Sequence, residues 1–373
     1  MSVDVRPLGL PGIGRFATEL AAALLRRGGD PEVVTLGPAG RSSRRPPARR
    51  GAGLGPAAPA PPPGSVAVRS GPFGVGEQLE LPRLLRRLGV DVHHATHLSV
   101  PRRSPVPVVL TVHDLFPLSH PGHARSPVAR TYYRAALPSA VRSAAAVVAV
   151  SEFTAAELDR LFGVRAAAVI GHGVDHAAWS ADPDGSGCPA GYPALPRPYV
   201  LYVGTAKPHK NLLTLLAAHH ALPSSAAPPL VLAGPTAREV ARAVPAAVPS
   251  DRLVVLGRVP DAWLPPLYRG AAVLAVPSLY EGVGLAALEA MSFGIPVVAA
   301  DSPGLRDTVG DAAALVPPTE VEAWADALVR MSGTSALRDV VVARGRERAA
   351  AHRWDDAAAG YAAVYDAVTG GTP

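Results

Sequence analysis

The sequence predicts an α/β protein made of two Rossmann-like, doubly wound domains. Short runs rich in β-branched residues alternate with helical stretches, which is the pattern of parallel sheets covered by helices. The alternation stops in a proline- and glycine-rich segment and then restarts, and 373 residues suit two cores better than one. We therefore expect one domain over 1–180, a linker over 181–198 and a second domain over 199–351.

Strands and helices of the first domain can be placed from their apolar patterns. The predicted strands are Val33–Leu36, Val106–Val112 and Ala146–Val150, and the predicted helices are Thr18–Arg27 and Thr154–Phe162. Apolar residues make up 48% of the chain, so both domains have enough side chains to bury.

An insert at 37–76 interrupts the first domain. It holds six arginines and no acid, so the rest of the chain nets zero, since 36−6−30=0. Large apolar side chains are few, which predicts a disordered surface loop. No aromatic residues for base stacking are interleaved with the arginines, so no nucleic acid partner is expected; contact with an anionic membrane surface is an alternative.

Five strands are predicted after the linker. They are Tyr199–Val203, Leu230–Ala233, Leu253–Leu256, Val273–Val276 and Pro296–Ala299. In doubly wound sheets, ligands bind at the carboxyl ends of the strands, so a cleft between the domains is the default active site. Functional side chains are therefore expected on the turns that follow strands.

Two carboxylates, Glu281 and Glu289, lie on either side of the glycines in the turn that follows Val273–Val276. Gly282 and Gly284 let the backbone approach a ligand, and free N–H groups at the helix start favour a phosphate. Glu289, one turn into the helix, can accept both hydroxyls of a ribose, and Glu281 can accept hydroxyls of a sugar. The spacing suits a nucleotide-sugar; the alternative is a helix that begins with an acid favourable to its dipole and carries another on a solvated face.

The turn after Tyr199–Val203 carries the only lysines of the chain, Lys207 and Lys210, and its only asparagine, Asn211. We expect Asn211 to be the N-cap of the next helix. A compact cation here can stabilise the negative charge on a departing nucleoside diphosphate without a metal. Lys210 is the first candidate and Lys207 the second; a solvated turn is the alternative.

Two turns of the first domain are further candidates. His113 ends the strand Val106–Val112, where its imidazole can donate to sugar hydroxyls; a structural pair with Asp114 is the alternative. Gly12 and Gly14 lead into the first helix, where backbone N–H groups can face a diphosphate or the acceptor. The same glycines fit a loose dinucleotide fingerprint, but no acid closes the next strand, which disfavours a nicotinamide cofactor.

No metal site is predicted. His93, His94 and His97 cluster after a predicted strand without accompanying carboxylates, so we interpret them as hydrogen-bonded loop histidines. Asp182 and Asp184 form an Asp-x-Asp in the linker, where metal geometry is poor. With one cysteine, no signal peptide and no long apolar run, the chain is expected to be cytoplasmic and soluble.

Together these motifs resemble the retaining GT-B glycosyltransferases of family 4. The resemblance rests on Glu281-x7-Glu289, Gly204-Thr205-x-x-Pro208-x-Lys210-Asn211, Val112-His113-Asp114 and Gly12-Ile13-Gly14-Arg15. It extends to Asp91-Val92-His93-His94, Val150-Ser151-Glu152-Phe153, His172-Gly173-Val174-Asp175 and Gly257-Arg258-Val259. The sequence departs from the common pattern at Thr205, His209, Val283 and Ala286.

The resemblance implies a GT-B fold, in which two Rossmann-like domains face a central cleft and the segment 352–373 crosses back to the first domain. It implies catalytic roles for His113, beneath the sugar, and for Glu281 and Lys210. The implied donor-binding residues are Gly14, Lys207, Lys210, Arg258, Val259, Glu281, Gly282, Val283, Gly284, Leu285 and Glu289. Among them, Glu289 binds the ribose, and Arg258 and Val259 lie near the base.

The implied reaction retains the anomeric configuration. The donor phosphate leaves, the acceptor hydroxyl attacks from the same face, and that phosphate takes the proton. The nucleotide-sugar is a co-substrate, no metal or other cofactor is required, and we lean to mannose from GDP-mannose. A non-catalytic nucleotide-sugar or glycan binding protein and, less favoured, an NAD(P)-dependent oxidoreductase are the alternatives.

The acceptor is expected to be a glycan, a lipid-linked acceptor or a small molecule. The first domain carries a basic and aromatic lip for it, formed by Arg125, Arg130, Tyr132, Tyr133 and Arg134. Peripheral contact with the inner membrane face is an alternative to a purely cytoplasmic location. The sequence predicts no oligomeric state.

Overall fold

The structure is a computed structural model that describes residues 1–6, 12–28, 32–39, 61–72, 74–120, 134, 137–174, 188–223, 225, 228–243 and 252–370. The chain divides into two compact units. Unit 1 comprises the described residues up to Gly173 and those from Arg353 onward, and unit 2 comprises those from Val174 to His352. The described part of the expected linker, 188–198, therefore belongs to unit 2.

Unit 1 is built on a parallel sheet. Its strands are β1 (Ser2–Asp4), β2 (Val34–Pro38), β3 (Val66–Val68), β4 (His93–Ala95), β5 (Val108–Val112), β6 (Ala146–Ala149) and β7 (Ala168–Val169). They lie in the order β3-β2-β1-β4-β5-β6-β7, and every neighbouring pair is parallel. The central strands are buried, as expected where helices cover both faces of a sheet.

Among the helices before the unit border, those whose bounds the structure describes are α1 (Ile13–Arg27), α2 (Glu77–Leu88), α3 (Phe116–Ser119) and α4 (Glu152–Phe162). Helix α1 begins five residues before the predicted Thr18, directly after Gly12. Its apolar stripe, which includes Phe16 and Leu20, packs in one core with Val3 of β1 and Val109 of β5. Periodic burial of this stripe holds the helix against the sheet.

The insert at 37–76 is wrong as a single disordered loop. Pro38 ends β2, and β3 lies inside the insert and pairs in parallel with β2. Val66 and Val68 pack with Leu36 and Leu81, so two alternating valines are enough to add an edge strand. Residues 40–60, which hold five of the six arginines, lie outside the described residues.

Unit 2 is built on a second parallel sheet. Its strands are β8 (Tyr199–Val203), β9 (Leu230–Ala233), β10 (Leu253–Gly257), β11 (Ala271–Val276), β12 (Val297–Ala300) and β13 (Ala314–Val316). They lie in the order β10-β9-β8-β11-β12-β13. The five predicted strands are confirmed with their ends shifted by two residues at most, and β13 is an addition.

Helices surround this sheet. They are α5 (Leu212–Ala221), α6 (Ala237–Ala243), α7 (Leu264–Gly270), α8 (Leu285–Ser292), α9 (Pro303–Val309), α10 (Val321–Ser332) and α11 (Ala336–Ala350), with 3₁₀ turns at Pro208–Lys210 and Asp261–Trp263. Helix α10 packs on α5 and on β11 and contributes the fully buried Trp324. In the part of the chain that the structure describes, no helix has the length and apolar character needed to cross a membrane.

The C-terminal helix α12 (Trp354–Thr369) returns to unit 1 and packs on α1, as the family resemblance implied. Two buried tyrosines fix it to the sheet. The Tyr361 hydroxyl lies 2.9 Å from Thr111 Oγ1, and the Tyr365 hydroxyl lies 2.8 Å from His94 Nδ1. Buried hydroxyls with partners of this kind specify how a helix docks.

Each sheet reverses its strand order beside its first strand, between β1 and β4 in unit 1 and between β8 and β11 in unit 2. Loops that leave the two strands of such a pair diverge, and the crevice between them is where doubly wound folds bind ligands. Functional side chains are therefore expected at these two switch points.

Candidate active site

Two charged turns meet at the switch point of unit 2. The lysine turn, with Lys210, follows β8, and the glutamate turn, with Glu281, follows β11. The Leu279 N–H donates to the His209 carbonyl at 2.8 Å and so ties the turns together. The parallel sheet thereby brings two residues that are 71 positions apart into one site.

The lysine turn is held by its backbone. The Tyr202 hydroxyl donates to the Thr205 carbonyl at 2.7 Å and fixes the start of the turn. Burial and the negative charge of Glu281 raise the pKa of Tyr202, so the hydroxyl stays a donor at neutral pH. Lys207 is exposed at this turn, whereas Lys210 is half-buried.

Asn211 stands at the N-cap position of α5 but does not cap the helix as predicted. Its backbone is left-handed, with φ of 52°, and its side chain makes no capping bond. Its amide instead donates to the Pro318 carbonyl at 2.7 Å and accepts from the Thr214 hydroxyl at 2.8 Å. Asparagine tolerates this conformation better than most residues. Asn211 therefore turns the chain after Lys210 and anchors the turn.

Lys210 and Glu281 form a two-pronged ion pair. The Lys210 Nζ donates to Oε1 of Glu281 at 2.6 Å and to Oε2 at 2.7 Å. The side chains are only 22% and 15% exposed. Charge-assisted bonds of this length between partly buried groups are stronger than those of surface pairs. The alternative of a solvated turn is therefore wrong for Lys210.

The glutamate turn runs into α8, which begins at Leu285, directly after Gly284. Gly284 has a φ of 70°, and a Cβ there would lie 2.6 Å from Cδ2 of Leu305, so the turn requires glycine. The Thr308 hydroxyl donates to the Val283 carbonyl and fixes the turn from α9. The first N–H groups of a helix have no acceptor within it and can bind an anion.

Glu289 lies one turn into α8 and is 3% exposed. The Tyr268 hydroxyl donates to its Oε2 at 2.6 Å. Tyr268 is fully buried and stacks on Phe293, with 5.5 Å between the ring centroids. The carboxylate is therefore oriented by the protein, and the alternative of an acid on a solvated face is wrong.

Glycines line the neighbouring strand ends. The Gly204 N–H donates to the last residue of β9 at 3.0 Å, and the Gly234 N–H donates to the Gly257 carbonyl at 2.6 Å. Arg258, which is exposed, and Val259, which is half-buried, follow directly. The two residues expected near a nucleotide base thus follow a row of half-buried glycines at the ends of β8, β9 and β10.

His113 follows β5 in unit 1 and is buried. Its Nε2 lies 2.9 Å from the Thr96 carbonyl and therefore carries the proton, and its Nδ1 lies 3.3 Å from Nε2 of His172. Phe16, two residues after Gly14, packs edge-on against the ring at 4.6 Å. Burial lowers the pKa of His113 to about 4, so the ring is neutral. Its N–H must leave Thr96 before it can serve a sugar hydroxyl.

The alternative of a structural pair between His113 and Asp114 is wrong. Oδ1 of Asp114 accepts the Phe116 N–H at 3.2 Å, and the ring nitrogens of His113 have the other partners just described. The imidazole is therefore oriented by Thr96, His172 and Phe16 and not by its neighbour in the sequence.

The switch point of unit 1 is filled by ion pairs. Arg6 donates to Asp4 at 2.9 and 2.6 Å and to Glu77 at 2.5 Å, and all three side chains are buried. Burial alone would raise the pKa of Asp4, but the charge of Arg6 holds it below its ordinary value. A dinucleotide would have to displace this network, which argues against the oxidoreductase alternative.

His93 and His94 lie in β4 and not in a loop as predicted. Nδ1 of His93 lies 3.0 Å from the Ser2 hydroxyl, and Nε2 of His94 lies 2.7 Å from the Thr111 hydroxyl. Burial lowers the pKa of His93 to about 4 and that of His94 to about 3. Across the described ranges, no group of three His, Cys, Asp or Glu residues is arranged to hold a metal ion.

Some sequence candidates lie outside the described residues. These are Arg125, Arg130, Tyr132, Tyr133, Asp175, Asp182 and Asp184. Arg134 is described and exposed.

The structure adds residues that the sequence did not single out as functional. Tyr268 orients Glu289, Thr308 fixes the glutamate turn, and His172 contacts His113. Tyr268 and Thr308 belong to no recognised motif and reach the site only through tertiary packing. His172 stood in a recognised motif, but nothing in its spacing indicated His113 as its partner.

Comparison with known families matches both parts of the chain. The profile of Glycosyltransferase Family 4 matches residues 11–178, and that of Glycosyl transferases group 1 matches residues 197–333. The matched segments correspond to most of unit 1 and most of unit 2.

Individual proteins are similar over long stretches. The chain is 31% identical over 276 residues to O-antigen chain mannosyltransferase B of Escherichia coli. This alignment covers 71% of each of the two chains. It is 30% identical over 421 aligned residues to D-inositol 3-phosphate glycosyltransferase of Xylanimonas cellulosilytica, covering 99% of this chain and 96% of the other. Among solved structures, sucrose-phosphate synthase from Thermosynechococcus elongatus superposes with a TM-score of 0.74 at 22% identity, covering 97% and 94% of the chains. This likeness confirms the predicted GT-B fold.

Proposed function

Because the chain belongs to the group 1 glycosyltransferases of family 4, we propose that it is a retaining, metal-independent hexosyltransferase that uses a nucleoside diphosphate sugar. The donor binds at the switch point of unit 2. One observation carries the proposal: the chain's half-buried lysine, Lys210, and the carboxylate of Glu281 are in contact where β8 and β11 end. A diphosphate needs the first group, and sugar hydroxyls suit the second.

The diphosphate is bound by charge and by backbone. Lys210 supplies a cation, and the N–H groups of Val283, Gly284 and Leu285 supply donors at the start of α8. Lys207, which is exposed on the same turn, is a second cation for the phosphates. Charge from protein groups does the work that a divalent cation does in other transferases, which is why metal independence is proposed.

The nucleoside lies along the carboxyl edge of unit 2. Glu289 accepts hydroxyls of the ribose while Tyr268 holds the carboxylate in place. The base lies beside Gly257, Arg258 and Val259, where the glycine-lined strand ends allow a close approach.

The proposed reaction exchanges one bond at the anomeric carbon for another. The bond from that carbon to the phosphate oxygen breaks, and the bond to the acceptor oxygen forms on the same face. The acceptor proton passes to the leaving phosphate, so the products are a glycoside and a nucleoside diphosphate. Lys210 and the amides stabilise the charge that grows on the phosphate. Gly14 and His113 keep their predicted roles toward the diphosphate and the sugar.

Mannose from GDP-mannose is the proposed donor, since the Escherichia coli relative is named a mannosyltransferase. The acceptor is a hydroxyl of a glycan, a lipid-linked molecule or a small molecule. Peripheral contact with the inner membrane face is part of the proposal, on the arginine-rich composition of 37–76.

Donor hydrolysis tests the proposal. The full chain is incubated with GDP-mannose, GDP-fucose, UDP-glucose or UDP-galactose in EDTA, and release of GDP or UDP is measured by chromatography. We expect GDP from GDP-mannose, and a loss of roughly 100-fold or more in Lys210→Met, as when one charge-stabilising group is removed from an active site. Arg330→Met, at an exposed cation elsewhere in unit 2, should match the wild type.

Each other outcome corrects a definite part of the proposal. Release of UDP from a UDP-sugar would show that this sugar, and not GDP-mannose, is the donor. Release of a nucleoside diphosphate only after a divalent cation is added would contradict metal independence. Binding of a donor without release supports the non-catalytic alternative. Retention is read from the anomeric proton of the first glycoside product by NMR, and an inverted product contradicts it.

A further inference from the structure

We propose that Glu281 is a stand-in for the diphosphate: it holds the Lys210 ammonium while the site is empty and competes with the nucleoside diphosphate product for it. The inference rests on the proposed function. It assigns to Glu281 a role in product release besides its contact with the sugar.

The pair is the starting point. Both oxygens of Glu281 accept from Nζ of Lys210, at 2.6 and 2.7 Å. Within the described residues, neither charged group forms another hydrogen bond. An ammonium has three hydrogens, so Lys210 can offer an arriving phosphate one free hydrogen or must give up its carboxylate.

Hydrogen bonds hold the two turns in place beside each other. The Leu279 N–H is bonded to the His209 carbonyl, and the Thr308 hydroxyl is bonded to the Val283 carbonyl. Asn211 anchors the lysine turn to the Pro318 carbonyl. The carboxylate therefore stays close to any phosphate that Lys210 binds, and like charges at such distances repel.

The sugar decides which partner Glu281 takes. When a nucleotide-sugar is bound, sugar hydroxyls can donate to the carboxylate, so Lys210 can turn to the phosphate without leaving Glu281 unpaired. After transfer, the product carries no sugar, and it carries one more negative charge once its terminal phosphate has released the transferred proton to solvent. Without the sugar hydroxyls, Glu281 pairs with Lys210 again. Lys210 then binds the product nucleotide less tightly.

The test compares dissociation constants of GDP and UDP by isothermal titration calorimetry on the full chain. The inference predicts that Glu281→Gln, which keeps the shape but removes the charge, binds the product nucleotide about tenfold more tightly than the wild type. Lys210→Met should bind it more weakly. In the double variant the gain should vanish, because the effect acts through Lys210.

Asp311→Asn is the matched control. Asp311 pairs with Arg344 at 3.0 Å in the same unit. It precedes β13 and so stands at the amino end of a strand, whereas Lys210 and Glu281 follow the carboxyl ends of theirs. Its removal changes the net charge equally and should leave both constants unchanged. Glu281→Ala gives a second reading, and circular dichroism checks that each variant is folded.

The outcomes separate the two proposals. Unchanged or weaker binding in both Glu281 variants, with weaker binding in Lys210→Met, overturns the stand-in role and leaves the donor site standing. A wild type that binds neither GDP nor UDP overturns the proposed function and the inference with it. Tighter binding that persists in the double variant overturns the route through Lys210.

Discussion

At the scale of single residues, the hydroxyl of Tyr268 decides how Glu289 can be used. A buried carboxylate is costly unless donors satisfy it, and Tyr268 supplies one at 2.6 Å. The orientation that this bond imposes is what prepares Glu289 for a ribose.

We expect Tyr268→Phe to weaken nucleoside diphosphate binding several-fold, because Glu289 loses the donor that orients it. The free energy of unfolding should fall by about 1–3 kcal/mol, since a buried acceptor loses one of its donors. Titration calorimetry and urea denaturation measure the two effects.

Tyr199→Phe is the control for this change. Tyr199 is fully buried in the same unit, and its hydroxyl donates to the backbone carbonyl of Leu267 at 2.7 Å and not to a carboxylate. It should lose stability to a similar extent without losing affinity. Equal loss of affinity in the two variants would contradict a specific role for Tyr268.

Residue-level prediction succeeded where composition was unusual and failed where only packing gives a residue its role. Two lone lysines in an arginine-rich chain drew attention to Lys210, and paired acids at a helix start drew attention to Glu281. No local pattern marks Tyr268 or Thr308, which act from other elements. The contact between Lys210 and Glu281 was likewise not predicted, since neither turn reveals the position of the other.

At the scale of elements, the strand ends of unit 2 require glycines that side chains cannot replace. Gly234 has a φ of 118°, and a Cβ there would collide with the Gly204 carbonyl. The ends of β8 and β9 can approach each other only in the absence of that atom.

Gly234→Ala should therefore destabilise the protein by more than about 3 kcal/mol, because backbone strain and a steric clash add up. Gly310→Ala is the control: its φ is 54°, but the added Cβ meets no atom within 4 Å. It should cost about 1–2 kcal/mol from strain alone. Equal unfolding midpoints in urea for the two variants would contradict this account of the packed strand ends.

Alternation of apolar runs located most strands but not all their ends. Strands β8 to β12 were predicted because each is a compact β-branched run with a turn signal after it. Strand β3 was missed because proline, glycine and arginine dominate its surroundings, and only its packing on Leu81 makes it a strand. The start of α1 was missed because Ile13 and Gly14 are poor helix formers.

At the scale of the whole molecule, buried neutral histidines make the stability of unit 1 depend on pH. Burial lowers the pKa of His93 and His113 to about 4 and of His94 to about 3, from an ordinary 6.5. Between these values the unfolded chain binds protons that the folded chain does not.

The free energy of unfolding should therefore be highest above about pH 6.5. It should fall by an amount on the order of a few kcal/mol as the pH is lowered toward 4. Urea denaturation at intervals from pH 7.5 to 4.5 measures the slope. His93→Gln should reduce this slope by the contribution of about one proton. A wild-type slope near zero in this range would show that the histidines do not titrate as argued.

The two-unit organisation was predictable because the α/β alternation visibly stops and restarts. What the sequence could not supply was the filling of the unit 1 crevice by Asp4, Arg6 and Glu77, whose positions along the chain give no sign that they meet. The dinucleotide alternative stayed open until that network was known.

The central claim is that a nucleotide-sugar binds at the lysine and glutamate turns of unit 2. The most direct measurement is the unfolding temperature of wild type, Lys210→Met and Glu289→Gln, titrated with GDP- and UDP-sugars in EDTA. Ligand at about 100 times its dissociation constant stabilises a folded protein by about 2.7 kcal/mol. We expect one donor to raise the wild-type midpoint and neither variant to respond. If no donor raises it, or if both variants respond like the wild type, the proposed site is wrong.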